Sequence, residues 1–301
     1  VDCDFNLVIM RINMQKCIMI ILNYNDSRRA LGLAKRCESY SCIEKIIIVD
    51  NYSTDDSVCF LSSAIRNNKI ELVTVSNNKG FAAGNNAGAH YAINKYKPQY
   101  LFFANTDTEF PEKNVNACID VLSTNKNIGL VSTRMLGPDK IEQDSSYDIT
   151  NFSDIIRDYF WIGRRKYYKG TLIKKQYSSP LIQVGMVRGS YMMFRTKSLE
   201  EAGFFDENTF LYCEEAIISK RLKKAGYNVA LLTDYFYIHN HVESKSNQQL
   251  VATKRLYDSR YYYCCQYLNV GFFKRILLKI FQKYSLAEQF VIHAVKQLNR
   301  K

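Results

Sequence analysis

Short apolar segments that alternate with helical segments are the strongest constraint on the fold of this chain. Each apolar segment has five to seven residues and ends at polar residues. Such segments are typical of strands that are buried on both faces of a parallel sheet. Strands are predicted at residues 17–22, 43–49, 70–75, 100–104 and 129–133, and helices at residues 27–40, 55–65, 80–92 and 112–123. This alternation predicts an α/β fold with a mostly parallel central sheet and helices on both faces.

The second half of the chain follows a different pattern. Residues 134–182 are polar, basic and aromatic with weak periodicity. A long segment of this kind inside a compact domain predicts a functional loop or a lid. It is followed by a predicted strand and turn at 183–199, a helix at 214–225 and a strand at 229–232. From about residue 246 onwards the pattern is helical.

The last predicted helix has a basic side and an apolar side. Its apolar face contains Phe273, Ile276, Leu277, Ile280 and Phe281. One interpretation is peripheral attachment to an anionic inner leaflet, beside a lipid-linked substrate. The other is that this face packs on the core or on a second copy of the chain, as a homodimer. Both interpretations stay open, because an amphipathic pattern does not distinguish lipid from protein.

The net charge of +12 is concentrated outside the predicted sheet. Residues 254–301 carry an excess of +8 and residues 151–175 an excess of +5, so the remainder is close to neutral. A localised basic region indicates an anionic partner such as a membrane surface or a lipid phosphate. Nucleic acid is not expected as a partner, because no nucleic-acid recognition motif is present.

The cysteines and the chain start bear on the compartment. Nine cysteines without any CxxC pair predict reduced thiols in a cytoplasmic protein. No run of 18 apolar residues and no signal-peptide layout is present, so neither a transmembrane helix nor a secretion signal is expected. Residues 1–15 are expected to be a poorly folded leader or a cloning remnant.

Polar residues follow several of the predicted strands at the point where each strand ends. Ligands of parallel α/β sheets bind at the carboxyl ends of the strands, so these residues should meet in one crevice. A glycine-rich segment belongs to the same edge, and its small residues let the backbone approach a ligand closely. The candidate ligand-binding residues are Asn23, Tyr24, Asn25, Asp50, Asn51, Gly80, Phe81, Gly84, Asn85, Asn105, Thr106 and Asp107.

Two aspartates in this set each have a functional and a structural interpretation. Asp107 after a strand suits a hard cation whose remaining ligands are substrate phosphates and water. It is equally placed to cap the helix that follows. Asp50 is placed to bind a nucleotide base or ribose, whereas Ser53, Thr54 or Asp55 is placed to cap the next helix. We expect Asp55 to be the cap and Asp50 to be free for a ligand.

Adjacent carboxylates and a histidine pair complete the candidate residues. Glu214 and Glu215 open a predicted helix. They are either partners of the helix dipole or the source of a general base that takes the proton of an attacking hydroxyl. His239 and His241 end a strand-like run, where they are either ligands of a metal or a diphosphate, or residues of a surface loop.

The order of these motifs resembles the family 2 glycosyltransferases with the GT-A fold, especially the rhamnosyltransferase-like branch. The resemblance covers about residues 17–245. The matching stretches are residues 20–25, 48–55, 78–88, 103–108, 203–215 and 221–227.

The resemblance implies an inverting transferase that uses a nucleotide diphosphate sugar and Mg²⁺ or Mn²⁺. Asp50 matches a position that contacts the nucleotide, and Asp107 matches the metal-binding carboxylate of a DxD-type motif. Glu215 stands where the family usually has its aspartate general base. His239 matches a histidine near the metal and the diphosphate. The residues expected on the acceptor side are Gly189, Trp161 and Glu214.

The resemblance divides the chain into the leader, a nucleotide-sugar-dependent domain at 16–245 and a basic helical extension at 246–301. The implied reaction moves rhamnose from dTDP-rhamnose, or a sugar from a UDP-sugar, to a hydroxyl of a polysaccharide or lipid-linked glycan. The chain departs from the family pattern at two positions near the base. Glu215 is one methylene longer than the usual aspartate, which extends its reach by about 1–1.5 Å. Ile217 stands where the family often has another aspartate. These departures motivate the alternative of a catalytically impaired nucleotide-sugar-binding protein of the same fold.

Overall fold

The structure is a computed structural model that describes residues 17–148, 150–159, 177, 179–241 and 246–298. Within 246–250 and 292–298 it describes the backbone alone. The predicted leader and the candidate acceptor residue Trp161 lie outside the described residues.

The strands are β1 (Cys17–Asn23), β2 (Ile43–Asp50), β3 (Ile70–Thr74), β4 (Tyr100–Ala104), β5 (Thr108–Glu109), β6 (Ile128–Leu136), β7 (Glu142–Gln143), β8 (Ser146–Tyr147), β9 (Leu181–Val184), β10 (Met186–Val187), β11 (Tyr191–Arg195) and β12 (Asn228–His239). The helices are α1 (Ser27–Cys37), α2 (Ser57–Ala64), α3 (Phe81–Tyr96), α4 (Glu112–Thr124), α5 (Phe152–Tyr159), α6 (Thr196–Glu201), α7 (Glu214–Lys224), α8 (Ser246–Gln266) and α9 (Phe272–Leu298).

One large sheet organises the molecule, with the strand order β3-β2-β1-β4-β11-β6-β12-β5. Strands β1 to β4 pair in parallel, as predicted. Strand β11 lies antiparallel between β4 and β6, and β12 is parallel to β6. The predicted α/β fold is therefore confirmed, with one antiparallel strand inserted at the centre of the sheet.

Strand β1 explains why the predicted strands are continuously apolar. Cys17, Met19 and Ile21 belong to a core cluster on one face of the sheet. Ile18 and Ile20 belong to a second cluster on the other face. All five side chains are fully buried, because helices cover both faces.

The segment predicted as a functional loop contains more regular structure than expected. Its first three residues belong to β6, and β7, β8 and α5 follow. Strand β8 pairs with β10 in a separate two-stranded sheet. Ile155 and Tyr159 of α5 are buried against the C-terminal helices, so apolar packing orders this part of the segment.

The C-terminal helices share a buried cluster with the central domain. Ile217 of α7 is fully buried in this cluster together with Tyr257 and Tyr263 of α8 and Leu278 of α9. The apolar side chain at position 217 is thus a packing residue beneath α8. In the part of the chain that the structure describes, no helix combines the length and the apolar character needed to cross a bilayer.

The face of helix α9 that packs against the protein is not the face that the sequence pattern predicts to be apolar. Its buried residues are Leu278, Gln282 and Ser285. Phe281, which the sequence pattern sets on the apolar face, is half-buried and packs against the shared cluster. The other predicted residues of that face are exposed, namely Phe273, Ile276, Leu277 and Ile280.

A buried carboxylate ties α7 and α8 together. Asp206 Oδ2 lies 3.1 Å from the Arg221 guanidinium and accepts hydrogen bonds from Tyr262 and Tyr267 at 2.9 Å and 2.5 Å. Burial raises the pKa of Asp206, but hydrogen bonds from Tyr267, Asn208 and Tyr262 outweigh it, and the pKa lies below its ordinary value. The charged form is therefore stabilised by folding.

We predict that Asp206→Asn lowers the free energy of unfolding by roughly 3 kcal/mol at neutral pH, because it leaves Arg221 without its charge partner. The contribution of Asp206 is complete above about pH 4, the ordinary carboxyl pKa, and is lost as the pH falls through the lower pKa of the folded state. In urea unfolding, the difference between wild type and variant should therefore narrow below pH 4.

The control for this prediction is Asp56→Asn, which removes one partner of the exposed Arg28–Asp56 pair. Exposed pairs contribute little, so this variant should unfold like the wild type. Equal losses in both variants, or a difference that stays constant in acid, would contradict the assigned role of Asp206.

Candidate functional site

A cleft of about 320 Å³ opens at the carboxyl ends of β1, β2 and β4. It brings together most of the predicted ligand-binding residues, because parallel strands end at the same edge of the sheet. The predicted residues that line it are Tyr24, Asn51, Gly80, Phe81, Asn105, Thr106 and Asp107. The other lining residues are Leu22, Asp26, Asn78, Phe210, Leu211 and Arg255.

Asp50 is buried behind this cleft and is not free, contrary to the expectation from sequence. Its Oδ1 accepts hydrogen bonds from Asn23 Nδ2 at 2.7 Å and Ser53 Oγ at 2.6 Å, and its Oδ2 accepts one from Ser53 N at 3.0 Å. The carboxylate thus organises the turn after β2. The N-cap residue of α2 is Asp56, not the predicted Asp55, and its side chain makes no capping hydrogen bond. Asp55, one residue earlier, accepts a hydrogen bond from Ser57 N at 3.0 Å.

Three further predicted residues support the cleft from behind. Asn25 links the loops after β1 and β2 through hydrogen bonds with Ser53 and Thr54. Asn85 is buried in α3 and donates to Phe81 O at 3.0 Å. A Cβ atom at Gly84 would lie 2.4 Å from a methyl group of Leu22, so glycine lets α3 pack closely against the end of β1.

Gly80 allows a distant segment to close over the edge of the sheet. Its φ is +102°, and a Cβ atom at this position would lie 2.1 Å from Phe210 O. The same oxygen accepts a hydrogen bond from Phe81 N at 2.9 Å. Asn51 donates to Gly80 O at 3.2 Å, while its own buried Oδ1 has no hydrogen-bond partner among the described residues.

Asp107, His239 and His241 form a cluster with metal-ligand chemistry at one end of the cleft. Pairing of β12 with β5 sets His239 opposite Thr108, and Asn240 N donates to Asp107 O at 2.8 Å. Asp107 Oδ1 lies 3.2 Å from His239 Nε2, and Oδ2 lies 3.9 Å from His241 Nδ1. One ligand atom from each residue lies within 4.8 Å of the other two.

The chemistry of this cluster fits a divalent transition ion. His239 Nε2 is buried, and although it is close to Asp107, its geometry makes no hydrogen bond. Burial raises the pKa of Asp107, but the contact with His239 outweighs it, and the pKa is lowered. Two imidazoles beside one carboxylate suit a transition ion better than Mg²⁺, which prefers oxygen ligands. The resemblance singles out His239 alone, because the proximity of His241 to Asp107 depends on the β5–β12 pairing.

Glu215 faces a second cavity, of about 180 Å³. Tyr212 and Cys213 have left-handed backbones, with φ of +77° and +69°, and they turn the chain sharply into α7. Glu215 Oε1 accepts a hydrogen bond from Gly189 N at 3.1 Å. A Cβ atom at Gly189 would lie only 2.8 Å from this oxygen, so glycine allows the close approach. The same cavity is lined by Tyr147, Arg188, Arg260 and Tyr263, of which Arg260 and Tyr263 gave no signal in the sequence.

Glu214 lies in a different environment from its neighbour. Its side chain is buried, and its Oε1 has no hydrogen-bond partner in the described part of the chain. Burial, followed by the nearby charge of Glu215, raises the pKa of Glu214 to about 8. The protonated form of Glu214 is therefore favoured at neutral pH, while Glu215 contacts the cavity. The structure thus separates two carboxyl groups that are adjacent in sequence.

Comparisons with known proteins relate this site to sugar-transferring enzymes. Residues 20–203 match the model of the glycosyl transferase family 2. The low-salt glycan biosynthesis hexosyltransferase Agl10 of Haloferax volcanii is 24% identical over 222 residues, which cover 74% of this chain and 66% of that protein. The rhamnosyltransferase WbbL of Escherichia coli (strain K12) is 26% identical over 166 residues, which cover 53% of this chain and 60% of that protein. The chain thus spans less than two thirds of the length of each relative.

Solved structures agree in fold. The mannosyltransferase PcManGT from Pyrobaculum calidifontis, in complex with GDP-Man and Mn²⁺, matches with a TM-score of 0.56 at 14% identity and covers 94% of this chain and 76% of that chain. GalNAc-T7 with UDP, GalNAc and Mn²⁺ matches with a TM-score of 0.56 at 12% identity and covers 76% of this chain and 44% of that chain. These likenesses confirm the predicted GT-A fold. Because the family model matches more than half of the chain, the protein belongs to glycosyl transferase family 2.

Proposed function

We propose that this protein is an inverting glycosyltransferase that moves a sugar from a nucleotide diphosphate sugar to a hydroxyl of a polysaccharide or lipid-linked glycan. The observation that carries the proposal is the Asp107, His239 and His241 cluster at one end of a cleft bordered by polar loops. The named relatives, a hexosyltransferase and a rhamnosyltransferase, support the transfer of a hexose or of rhamnose. The resemblance of the sequence motifs implies dTDP-rhamnose or a UDP-sugar as the donor.

The donor site in this proposal is the cleft itself. Asp107, His239 and His241 would hold Mn²⁺ or Mg²⁺, which when bound supplies positive charge that neutralises a leaving diphosphate. Asn51 lines the cleft and supports its wall through hydrogen bonds from Nδ2 to Asn78 Oδ1 and Gly80 O. Asp50, Asn23 and Asn25 act by holding the loops of the cleft in position.

Glu215 is the proposed general base. It lies at a cavity that adjoins the donor cleft, because the segment from Phe210 to Cys213 borders both, and this suits an acceptor that meets the donor at that segment. Its carboxylate is held by Gly189 N and takes the proton of the acceptor hydroxyl as that oxygen attacks the anomeric carbon. Glu214 and Gly189 act on the acceptor side by shaping the position of Glu215. A single displacement of this kind inverts the anomeric configuration.

The proposed function predicts that a nucleotide and a metal ion bind to the donor cleft together. In a thermal-shift panel of UDP, dTDP, GDP and CMP, one nucleotide with Mn²⁺ should stabilise the protein, by about 2.7 kcal/mol at a hundredfold excess over its dissociation constant. Asp107→Asn should abolish the Mn²⁺-dependent part, because it removes the charged ligand. Asp120→Asn, on the exposed side of α4, is the control and should retain the full shift.

No stabilisation of the wild type by any nucleotide would contradict the donor site. An Mn²⁺-dependent shift that persists in Asp107→Asn would remove Asp107 from metal binding while leaving nucleotide binding intact.

A second prediction separates catalysis from binding. Glu215→Gln should lower turnover by roughly 10²–10⁴-fold, the usual contribution of a general base, while nucleotide binding stays unchanged. Gly189→Ala should also lower turnover, because its methyl group would displace Oε1 of Glu215. Release of the nucleoside diphosphate, measured with a panel of glycan acceptors, provides the assay, and Glu201→Gln on the surface is the control.

Near-normal turnover of Glu215→Gln would exclude this residue as the base. Donor binding by the wild type without turnover on any acceptor would instead favour the alternative, a catalytically impaired nucleotide-sugar-binding protein.

A peripheral location at the cytoplasmic face of the plasma membrane is part of this proposal. The exposed face of α9 contains large apolar side chains, of which Phe272 and Phe273 are 71% and 84% exposed. Residues 259–287 contain five Lys or Arg and no Asp or Glu. An apolar face bordered by cations alone complements an anionic bilayer. A homodimer through this face would instead set two predominantly positive surfaces against each other.

We predict that the protein floats with vesicles that contain phosphatidylglycerol and not with vesicles of phosphatidylcholine alone. The double variant Phe273→Glu and Ile280→Glu should lose this binding, because it adds negative charge to the apolar face. Point variants are preferable to truncation, since Leu278 of α9 belongs to the core. Ile141→Glu, at an exposed apolar residue of a distant turn, is the control.

If the double variant floats with the vesicles as well as the wild type does, the proposed membrane binding is contradicted. A dimer of the wild type in lipid-free sedimentation that becomes monomeric in the double variant would assign the face to a second copy of the chain.

A further inference from the structure

Arg255 brings a positive charge from the C-terminal helices into the proposed donor cleft. It lies on α8, yet it lines the same cleft as Asp107, Asn105 and Thr106. Helix α8 follows the segment that matches the family model, which ends at residue 203. The cleft is therefore built by the family-matching part of the chain and by a helix outside it.

Two contacts hold Arg255 at this position. Its guanidinium carbon lies 4.1 Å from the centroid of the Phe210 ring, within the range of a cation–π contact. One turn later on α8, the buried Ser259 donates a hydrogen bond to Leu211 O at 2.7 Å. Because residues four apart share a helix face, both contacts direct the same face of α8 toward the segment that borders the cleft.

Phe210 is itself fixed to the sheet edge. Its carbonyl oxygen accepts a hydrogen bond from Phe81 N at 2.9 Å and approaches Gly80 more closely than any side chain would permit. The ring that supports Arg255 is thus anchored to the glycine-rich segment of the cleft. The backbone of the cleft wall therefore determines where the Arg255 guanidinium lies.

The charge of Arg255 is not neutralised by the protein in the described part of the chain. Arg29, Arg221 and Arg260 each lie within 3.1 Å of an aspartate oxygen. No carboxylate of the described residues lies within ion-pair distance of Arg255, which borders the cleft with its charge unpaired. A cleft-lining arginine without an acidic partner is suited to an anionic ligand.

We infer that Arg255 binds the diphosphate of the donor, so that α8 completes the donor site. This inference rests on the proposed function. The guanidinium offers two parallel N–H donors that match two phosphate oxygens. As the bond between the anomeric carbon and the diphosphate oxygen breaks, the electron pair stays on that oxygen, and Arg255 faces the negative charge that accumulates there.

The test compares the Arg255→Gln variant with Lys254→Gln. Both remove one exposed charge from the same turn of α8, but the cleft lining includes Arg255 and not Lys254. Binding is measured by calorimetry in Mn²⁺ with the nucleoside diphosphate that stabilises the wild type and with its unphosphorylated nucleoside. Arg255→Gln should weaken the diphosphate about 10-fold or more, as expected for a charge-assisted hydrogen bond, and leave the nucleoside unchanged. Lys254→Gln should bind both ligands like the wild type.

The Arg255→Lys variant refines the test, because it keeps the charge and loses the two-pronged geometry. It should bind the diphosphate with an affinity between those of the wild type and Arg255→Gln. Thermal unfolding without ligand should be the same for all variants, which establishes that the fold is intact.

The outcomes separate this inference from the proposed function. If the wild type binds no nucleoside diphosphate, the proposed function fails first. If the wild type binds and Arg255→Gln binds equally well, Arg255 is not a diphosphate ligand. An equal loss for the diphosphate and the nucleoside, or an equal loss in Lys254→Gln, would also overturn the assignment to the diphosphate.

Discussion

The hydrogen bond from Phe81 N to Phe210 O connects the two halves of the candidate site. It is possible because Gly80 has no side chain and adopts a left-handed backbone. The contact fixes the segment between Asp206 and Glu215, which on one side borders the donor cleft and on the other leads into the cavity of Glu215. The same segment accepts the hydrogen bond from Ser259 that holds α8. A single close backbone approach thus positions the cleft wall, the candidate base and the C-terminal helices relative to one another.

The carboxylates of the site differ in how deeply they are buried and in what they contact, and these differences are not apparent from their positions in the sequence. Asp50 is fully buried and accepts hydrogen bonds from Asn23 and Ser53, whereas Asp107 is partly exposed and faces two imidazoles. Glu214 is buried without a partner for one oxygen and has a raised pKa, while Glu215 contacts a cavity. The carboxylates of the site are therefore suited to three different roles, namely supporting a loop, binding a metal ion and accepting a proton.

The C-terminal helices form part of the molecule's central architecture. Ile217, at a position where the family resemblance implies an aspartate, is buried in the cluster that contains Tyr257 and Tyr263 of α8. Asp206 adds a charged tie between α7 and the end of α8. This packing gives the Ile217 departure a structural reason, because a carboxylate at that position would be buried in an apolar cluster. It also leaves the opposite, apolar side of α9 exposed.

The sequence by itself determined the parallel strands, since side chains such as Ile18 and Met19 must be buried on both faces of the sheet. It also determined which loops border the cleft, because the carboxyl ends of parallel strands share one edge. Only the tertiary structure decided the antiparallel insertion of β11, the proximity of His241 to Asp107 and the arrival of Arg255 in the cleft. Each of these depends on contacts between residues that are distant in the chain, and local patterns carry no information on such pairings. The same reason explains why Asp50 looked free for a ligand: its partner Asn23 lies 27 residues away and meets it only when β1 and β2 pair.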